Sequence, residues 1–215
     1  MSDANANKEK WAARNQGRTL HAAAVEEQKA ARAKVPPGQH VPRDWPRLDL
    51  GFVPEVPTEA WELKVGGLVE RPQSFNWQQF MELPQTEQIA DMHCVTTWSV
   101  LDSAFKGVRF SDFAAHAGVS SKARFVYFTS YDTYTTNLDL ECCMDSDAML
   151  MHSWNGKPLT PDHGGPVRML VPKRYLWKSA KWVSQILFLE DDQLGYWEVR
   201  GYHNRADPWL EERFS

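Results

Sequence analysis

The chain has 215 residues, of which 42% are hydrophobic and 24% are charged, and its formal net charge is −4. This length suits one sizeable domain, and the balance of apolar and charged residues is ordinary for a globular protein. The negative charge argues against a nucleic-acid-binding protein. No apolar run approaches the ~20 residues of a membrane span, so we expect no membrane-spanning helix.

The three cysteines, Cys94, Cys142 and Cys143, do not form the pattern of a disulfide framework. Free cysteines suit a reducing compartment. The N-terminus shows neither a continuous apolar stretch nor paired arginines, so neither a secretory nor a twin-arginine signal is visible. These features together predict a cytoplasmic protein.

Residues 1–40 are rich in alanine and charged side chains and contain few bulky apolar ones. A stretch with so little to bury predicts a helical or partly disordered arm. The run Val35-Pro36-Pro37-Gly38 ends any helix, because proline cannot continue one and disfavours helix in the residue before it. We therefore predict one domain over residues 41–215.

The first predicted elements of this domain are a strand and a capped helix. Apolar and charged residues alternate from Trp61 to Val65, the pattern of a half-buried strand. Asn76 is placed as the N-cap of a short helix ending near Leu83, and Gln79 can complete a capping box.

A second short helix is predicted over residues 112–117, with Ser111 as its N-cap and Gly118 at its end. Asn155-Gly156 is a strong hairpin turn signal. Further strands are predicted over residues 86–90, 123–129, 149–154, 167–171 and 182–189. Short helices among many short strands predict an α+β fold with a mixed β core rather than a regular βαβ array.

Cys94 is the first candidate for chemistry. It lies just beyond the strand predicted at residues 86–90, whose apolar centre is Ile89, among polar and aromatic neighbours. A cysteine at a strand exit can present its sulfur to a cleft, although a single cysteine is more often an inert core residue.

Two later stretches have the character of an anion-binding site, Gly164-Gly165-Pro166-Val167-Arg168 and Trp177-Lys178-Ser179-Ala180-Lys181-Trp182. Arg168 offers a planar fork of donors, and Lys181 offers a compact charge. The run Lys173, Arg174, Lys178 and Lys181 is, taken alone, more typical of a solvated basic turn.

The chain contains 10 tryptophans, which is many for its length. Several lie beside the candidate motifs, namely Trp98, Trp177, Trp182, Trp197 and Trp209. They predict either a tryptophan-rich core or an aromatic-walled pocket.

The motifs Cys-Val-x-x-Trp-Ser, Gly-Gly-Pro-Val-Arg-x-x-Val-Pro and Trp-Lys-Ser-Ala-Lys-Trp-Val follow one another in this order. In this they resemble the molybdopterin-binding oxidoreductases of the sulfite oxidase family. The likeness extends over residues 41–215, and it is closer to the short, haem-free bacterial members, which include the catalytic subunit of the periplasmic methionine-sulfoxide reductase. The resemblance implies a mixed β core of the sulfite oxidase type and a molybdenum–molybdopterin cofactor, without haem.

Matched by motif, the resemblance implies that the Cys94 thiolate ligates the metal. A thiol on a metal is deprotonated, so this position requires cysteine rather than serine. The resemblance places cofactor contacts at Ser130, His163, Arg168, Ser179, Ala180 and Lys181. Related methionine-sulfoxide reductases carry Asn at the position of His163.

Other residues near these motifs are less specific. His93 either helps to hold the pterin or is a structural histidine with satisfied hydrogen bonds. Cys142 and Cys143 match no family motif, and we predict that they are structural.

The departures from the family pattern bear on substrate. Sulfite oxidases carry arginines shortly after the ligand cysteine, whereas residues 95–98 here are Val-Thr-Thr-Trp. The sequence therefore predicts oxygen-atom transfer to or from a small, weakly charged molecule rather than sulfite, with a sulfoxide or N-oxide suggested by analogy. No Cys-x-x-Cys-His motif is present, so a separate electron carrier is expected.

Two alternatives come from other classes of protein. One is a non-catalytic molybdopterin-binding or interaction domain with the same fold. The other is a cysteine hydrolase that uses Cys94 with His152, His163 or His203 as the base.

Overall fold

The computed structural model describes residues 33–215, and Pro36–Ser215 form one compact unit. Most of the arm predicted for residues 1–40 lies outside the described residues. No helix of the described part is long and apolar enough to cross a membrane.

Five strands form the first sheet, which contains one parallel pair. In spatial order they are β2 (Gln73–Asn76), β1 (Glu62–Gly67), β10 (Val183–Leu189), β5 (Phe125–Ser130) and β6 (Thr135–Asp139). Strands β1 and β10 pair in parallel, and the other neighbours are antiparallel. The parallel pair joins strands from opposite ends of the domain.

The second sheet is antiparallel throughout. Its strands are β3 (Gln85–Cys94), β4 (Trp98–Arg109), β7 (Met149–Trp154) and β8 (Lys157–Pro158), and β9 (Arg168–Leu170) pairs with the start of β7 while β8 pairs with its end. Strands β3 and β4 form a hairpin in which Cys94 pairs with Trp98. Cys94 is thus the last strand residue before the hairpin turn.

The helices are short: α1 (Trp77–Glu82), α2 (Phe110–Ala117) and α3 (Leu140–Cys143). The predicted capping box of α1 is confirmed, since the Asn76 side chain accepts from the Gln79 amide and Gln79 accepts from the Asn76 amide. Single 3-10 turns occur at Pro161–His163, Leu176–Lys178 and Glu198–Arg200. With two mixed or antiparallel sheets, this is the predicted α+β fold.

The prediction that Ser111 caps the second helix is wrong. Helix α2 follows β4 directly, and its N-cap is Arg109, which makes no side-chain cap bond. The helix starts earlier because Phe110 is fully buried in the core and fixes the chain there. Gly118 ends the helix in the left-handed region, as predicted.

Strand β3 is longer than predicted, and Ile89 is not its buried centre. The Ile89 side chain is 72% exposed, because β3 is the edge strand of its sheet and is buried only at its Cys94 end. The long strand β4 was not predicted, since Asp102 and Lys106 interrupt its apolar pattern. The alternation from Trp61 to Val65 and the turn after Trp154 are confirmed.

The main core takes buried side chains from both sheets, among them Val65 of β1, Phe128 of β5 and Leu150 of β7. A second cluster surrounds Cys94 and includes Trp45 and Trp98. A third, smaller cluster contains Trp177, with Val95, Trp197 and Tyr202 packed against it. The cysteine therefore lies where two smaller clusters meet, outside the main core.

Candidate active site

Cys94 is buried, and its sulfur lies 3.1 Å from the Thr96 hydroxyl. The hairpin turn that follows has Thr97 at φ +71°. Burial raises the pKa of the Cys94 thiol, while the hydrogen bond from Thr96 and the charge of Arg168 act in the opposite direction. A cation at the sulfur would complete the stabilisation of a thiolate.

Cys94 lines a cavity of about 310 Å³. Of the residues predicted to contact a cofactor, the same cavity is lined by Ser130, Arg168, Ser179 and Lys181. These side chains come from β5, β9 and the segment before β10, so distant parts of the chain converge here.

His163 and Ala180 do not line this cavity, but both adjoin residues that do. The His163 ring stacks on Trp45 at 4.3 Å between ring centroids, and its carbonyl accepts a hydrogen bond from Arg168. Burial lowers the pKa of His163. Ala180 is buried, and its carbonyl accepts from the Met169 amide.

Arg168 and Lys181 give one part of the cavity a positive charge. The buried Arg168 guanidinium donates to the carbonyls of His163 and Ser179, each at 2.9 Å. Lys181 Nζ donates to the Asp162 carbonyl at 2.8 Å and lies 4.3 Å from the centre of the Trp182 ring. Within residues 33–215, neither cation forms an ion pair with a carboxylate.

Burial shifts the pKa values of both cations downward. The pKa of Arg168 falls to about 10, and that of Lys181 falls to about 8, in the latter case also because Arg168 repels a second charge. One buried and one half-buried cation, repelling each other and hydrogen-bonded only to carbonyls among the described residues, favour a bound anion.

The glycine pair before Arg168 allows this arrangement. Gly164 has φ +99°, and a Cβ atom there would lie 2.8 Å from the Lys181 side chain. A Cβ atom on Gly165 would lie 2.3 Å from the Leu159 carbonyl oxygen. Glycine at position 164 therefore lets the loop pack against Lys181, and glycine at position 165 lets it pack against Leu159.

Ser130 supplies a further indication of a ligand. Its hydroxyl is buried and has no hydrogen-bond partner among the described residues. An unpaired buried hydroxyl costs about 1–3 kcal/mol, and a bound polar group would remove that cost. An unpaired hydroxyl, two unpaired cations and a thiol on one cavity fit a phosphate-bearing cofactor whose metal accepts a thiolate.

Much of the remaining cavity wall is aromatic. It is formed by Trp45, Trp98, Tyr134, Trp177, Trp182, Trp197 and Tyr202. Both interpretations of the tryptophans hold in part, because Trp98 and Trp182 are buried and also line the cavity. Trp209 does not line it.

The sequence interpretation missed several lining residues, including Trp45, Asp49, Asp132 and Tyr134. Asp132 and Tyr134 follow Ser130 closely in the sequence. Because Ser130 was predicted to contact the cofactor, its neighbours could also have been predicted to line the site. Trp45 lies in the proline-rich segment before β1 and carries no motif. Burial raises the pKa of Asp132, which shows that its carboxyl group is partly desolvated.

The basic run from Lys173 to Lys181 does not act as one unit. Lys173 bonds Asp145 at 2.8 Å on the surface, and Arg174 lies 3.7 Å from Asp139. Lys178 is fully buried and pairs with Glu198 at 2.7 Å. Only Lys181 of this run lines the cavity.

His93 has the contacts of a structural histidine. It is buried and off the cavity wall, its Nδ1 lies 2.8 Å from the Ser99 hydroxyl, and burial lowers its pKa. Cys142 and Cys143 are also buried, and burial raises the pKa of Cys142 to about 12. Neither cysteine lines the cavity.

The histidines proposed as a hydrolase base are engaged elsewhere. His152 contacts Gln85, His163 contacts Thr160, and His203 accepts from nearby backbone amides. None of the three is bonded to Cys94 in the described structure. Nor do residues 33–215 contain a group of 3 or more His, Cys, Asp or Glu side chains that could hold a metal ion.

Comparison with known families decides the identity of the domain. Residues 50–197 match the oxidoreductase molybdopterin binding domain. The chain belongs to this family. It is an oxidoreductase of the sulfite oxidase family, and its cofactor is molybdenum–molybdopterin.

Curated relatives of this molybdopterin oxidoreductase include proteins named as reductases. This chain is 42% identical over 183 residues to the uncharacterized oxidoreductase YuiH of Bacillus subtilis. The match covers 85% of this chain and 92% of YuiH. The chain is 27% identical over 158 residues to the protein-methionine-sulfoxide reductase catalytic subunit MsrP of Campylobacter jejuni. That match covers 66% of this chain and 53% of MsrP.

A solved structure has the same fold. The sulfane dehydrogenase SoxCD of Paracoccus pantotrophus superimposes with a TM-score of 0.63 at 23% identity, over 73% of this chain and 46% of that one. This likeness confirms the predicted sulfite oxidase type of fold.

Proposed function

We propose that this protein transfers an oxygen atom to or from a small, weakly charged substrate such as a sulfoxide or N-oxide, with the Cys94 thiolate as the protein ligand of molybdenum. The observation that carries the proposal is the composition of the cavity. Its thiol is followed by the neutral residues Val95, Thr96 and Trp98. The charge of Arg168 reaches the sulfur, but the guanidinium is already held by two backbone carbonyls.

The cationic part of the cavity holds the cofactor in this proposal. Arg168 and Lys181 neutralise the phosphate, the Ser130 hydroxyl donates to the cofactor, and Ser179 contributes from the same wall. His163 and Ala180 act through the backbone and packing that hold Arg168 and Met169. When bound, the molybdenum cofactor supplies two-electron oxygen-atom exchange; the chain's own residues bind, orient and shield it.

Several charges support a substrate other than an anion. The carboxylates Asp49 and Asp132 line the same cavity and offset part of the positive charge there. Arg205, an arginine of the C-terminal segment, is half exposed and forms a double hydrogen bond with Glu212. It is not among the residues that line the cavity.

Reduction of a sulfoxide consumes two electrons and two protons and releases water, and we propose that a separate carrier delivers the electrons. We also propose a cytoplasmic location, supported by the three cysteines, which are all free.

Metal analysis tests the ligand. Protein made in a host that synthesises the cofactor should hold near one molybdenum per chain, and Cys94→Ser should lose the thiolate-to-metal absorption and activity, because a neutral hydroxyl is a poor replacement. Cys142→Ala is the matched control, since it removes a buried thiol away from the cavity. Zinc or no metal in folded protein would contradict the proposal, and pterin without molybdenum would favour the non-catalytic alternative.

Substrate charge tests the reaction. We expect kcat/KM for sulfite, assayed with an artificial acceptor, to lie roughly 10²–10³-fold below that for a neutral sulfoxide assayed with a donor, the loss expected when an oxyanion contact is missing. Asp132→Asn removes one negative charge and should raise kcat/KM for sulfite relative to kcat/KM for the sulfoxide. Efficient sulfite oxidation by the wild type would refute the proposal.

A further inference from the structure

Two segments outside the matched domain of residues 50–197 contact the loop that carries Cys94. This loop is taken as residues 94–99, which are the hairpin turn between β3 and β4 and the strand residues next to it. The first segment is Gln39–His40, before the matched region, and the second contains Arg213, after it. Neither segment contributes a side chain to the cavity wall.

Gln39 holds the carbonyl of the cysteine itself. Its Nε2 donates to the Cys94 carbonyl at 2.9 Å, and its Oε1 accepts from the Ser99 hydroxyl at 3.4 Å. One side chain therefore spans both ends of the loop.

The backbone of His40 extends this contact. Its amide donates to the Thr97 carbonyl at 2.9 Å, and its carbonyl accepts from the Ser99 amide at 2.8 Å. These bonds form a short parallel bridge to Trp98. They hold the loop around Thr97, whose positive φ is uncommon for a β-branched residue.

Arg213 holds the next carbonyl along the loop. Its guanidinium donates to the carbonyl of Val95 and lies 5.2 Å from the centre of the Tyr175 ring. The arginine side chain is only 18% exposed, so this contact is largely shielded from water. Tyr175 in turn forms a parallel bridge with His93, the residue before the cysteine.

We propose that Gln39 and Arg213 are positioning residues that fix the direction of the Cys94 thiolate. Two consecutive carbonyls, of Cys94 and Val95, are held by side chains from opposite ends of the described chain. Gln39 fixes the peptide plane that follows Cys94, and the pairing of β3 with β4 holds the plane before it, so the Cα–Cβ bond of Cys94 is fixed. Arg213 fixes the next plane along and so limits movement of the loop. A metal ligand must be held closely to its productive geometry. The inference rests on the proposed role of Cys94 as the ligand.

The test compares Gln39→Ala and Arg213→Ala with Arg124→Ala. The control is matched, because Arg124 also donates to backbone carbonyls, those of Ser121 and Ala123, but away from the cavity. In the holoenzyme, both test variants should shift the thiolate-to-molybdenum absorption band and lose molybdenum on dialysis at least about fivefold faster than wild type. Pterin should be retained, because Arg168 and Lys181 are intact. Arg213→Lys keeps a donor and should restore most of the band.

A second measurement does not depend on the metal. In protein made without the cofactor, the rate of Cys94 alkylation at one fixed pH should rise at least about fivefold in Gln39→Ala and Arg213→Ala, and stay unchanged in Arg124→Ala. Cys142 and Cys143, both buried, serve as internal references. If Cys94→Ser leaves the metal site unaltered, the proposed function is refuted. The alkylation rate of Cys94 still measures how firmly the sulfur is positioned, so the two failures can be told apart.

Two outcomes would overturn the inference. One is wild-type absorption, molybdenum retention and Cys94 reactivity in both variants. The other is a lower melting temperature with equal loss of pterin and molybdenum and no rescue by Arg213→Lys, which would show that the contacts merely stabilise the fold.

Discussion

At the scale of single residues, Arg168 and Lys181 differ from neighbouring cations in the groups that accept their hydrogen bonds. Lys173 and Lys178 each bond a carboxylate, whereas the two cavity cations bond backbone carbonyls within the described structure. A carbonyl offers a partial charge, so a bound anion would still gain a charge-assisted hydrogen bond from each cation.

Replacing either cation should weaken cofactor binding. Each charge-assisted bond contributes about 1.5–3 kcal/mol, so Arg168→Ala and Lys181→Ala should each lower affinity by roughly 10- to 150-fold. Lys173→Ala is the control, because its side chain is 54% exposed and paired to Asp145. The measurement is pterin fluorescence released per folded chain. Equal occupancy in all three variants would show that the two residues do not bind the phosphate.

The lowered pKa of Lys181 predicts a pH dependence. A phosphate binds the charged amine, so affinity in the free protein should fall as pH rises through about 8. The free energy of unfolding of the cofactor-free protein changes with pH in the opposite direction. The pKa of Lys181 in the folded protein lies below its ordinary value, so burial of the charged amine destabilises the fold below about pH 8. This penalty disappears as pH rises from there to the ordinary value of 10.5.

Cofactor retention at about pH 7 and about pH 9.5 checks this dependence. Lys181→Arg should show a much flatter profile, because arginine stays charged over that range. The same decline in both proteins would assign the dependence to another group.

At the scale of elements, the hairpin of β3 and β4 presents Cys94, and β4 is in turn held by β7. The β4–β7 pairing shifts register between Lys106 and Gly107. A Cβ atom at Gly107 would lie 2.1 Å from the Leu150 carbonyl oxygen, too close for any side chain. Glycine thus permits the close approach of β7 to the strand that follows the cysteine loop.

Gly107→Ala should lower the free energy of unfolding by roughly 1–3 kcal/mol, because the backbone of β7 must move to admit the methyl group. Lys106→Ala is the neighbouring control. It removes a partly exposed ion pair with Glu87 and should cost about 0–1 kcal/mol. Chemical denaturation of the two variants measures the difference, and equal stability would show that β7 relaxes freely.

At the scale of the whole molecule, a buried polar network ties the C-terminal segment to the first sheet and to the cavity wall. Glu198 accepts from Lys178 at 2.7 Å and from the Trp177 indole at 3.0 Å. Lys178 also donates to the carbonyl and side chain of Asn137 in β6. Burial lowers the pKa of Lys178, while Glu198 acts to raise it.

Removing one partner of this pair should be costly. Glu198→Ala leaves a buried ammonium without a carboxylate, which typically costs about 3–5 kcal/mol. The double variant Lys178→Met/Glu198→Ala should regain part of this loss, because no unpaired charge remains. Thermal and denaturant unfolding of the single and double variants check the coupling. Strictly additive losses would show that the two side chains stabilise the fold independently.

The sequence by itself predicted the residues whose chemistry no other residue type can supply. A thiol, a guanidinium fork and a glycine pair occur in short motifs, so Cys94, Arg168 and Gly164 were singled out before any fold was known, and the structure places Cys94 and Arg168 on one cavity. The α1 capping box and the hairpin after Trp154 were likewise predictable, because their hydrogen bonds and turn lie within a few residues.

Only the tertiary structure decided which charges are free and which side chains face the cavity. Lys178 and Lys181 are three positions apart in one basic run, yet one is paired with Glu198 and the other lines the cavity. The length of β4, the inclusion of Trp45 and the hold of Arg213 on Val95 were also invisible in the motifs. Burial and ion pairing depend on residues far away in the chain, and local spacing carries no information about them.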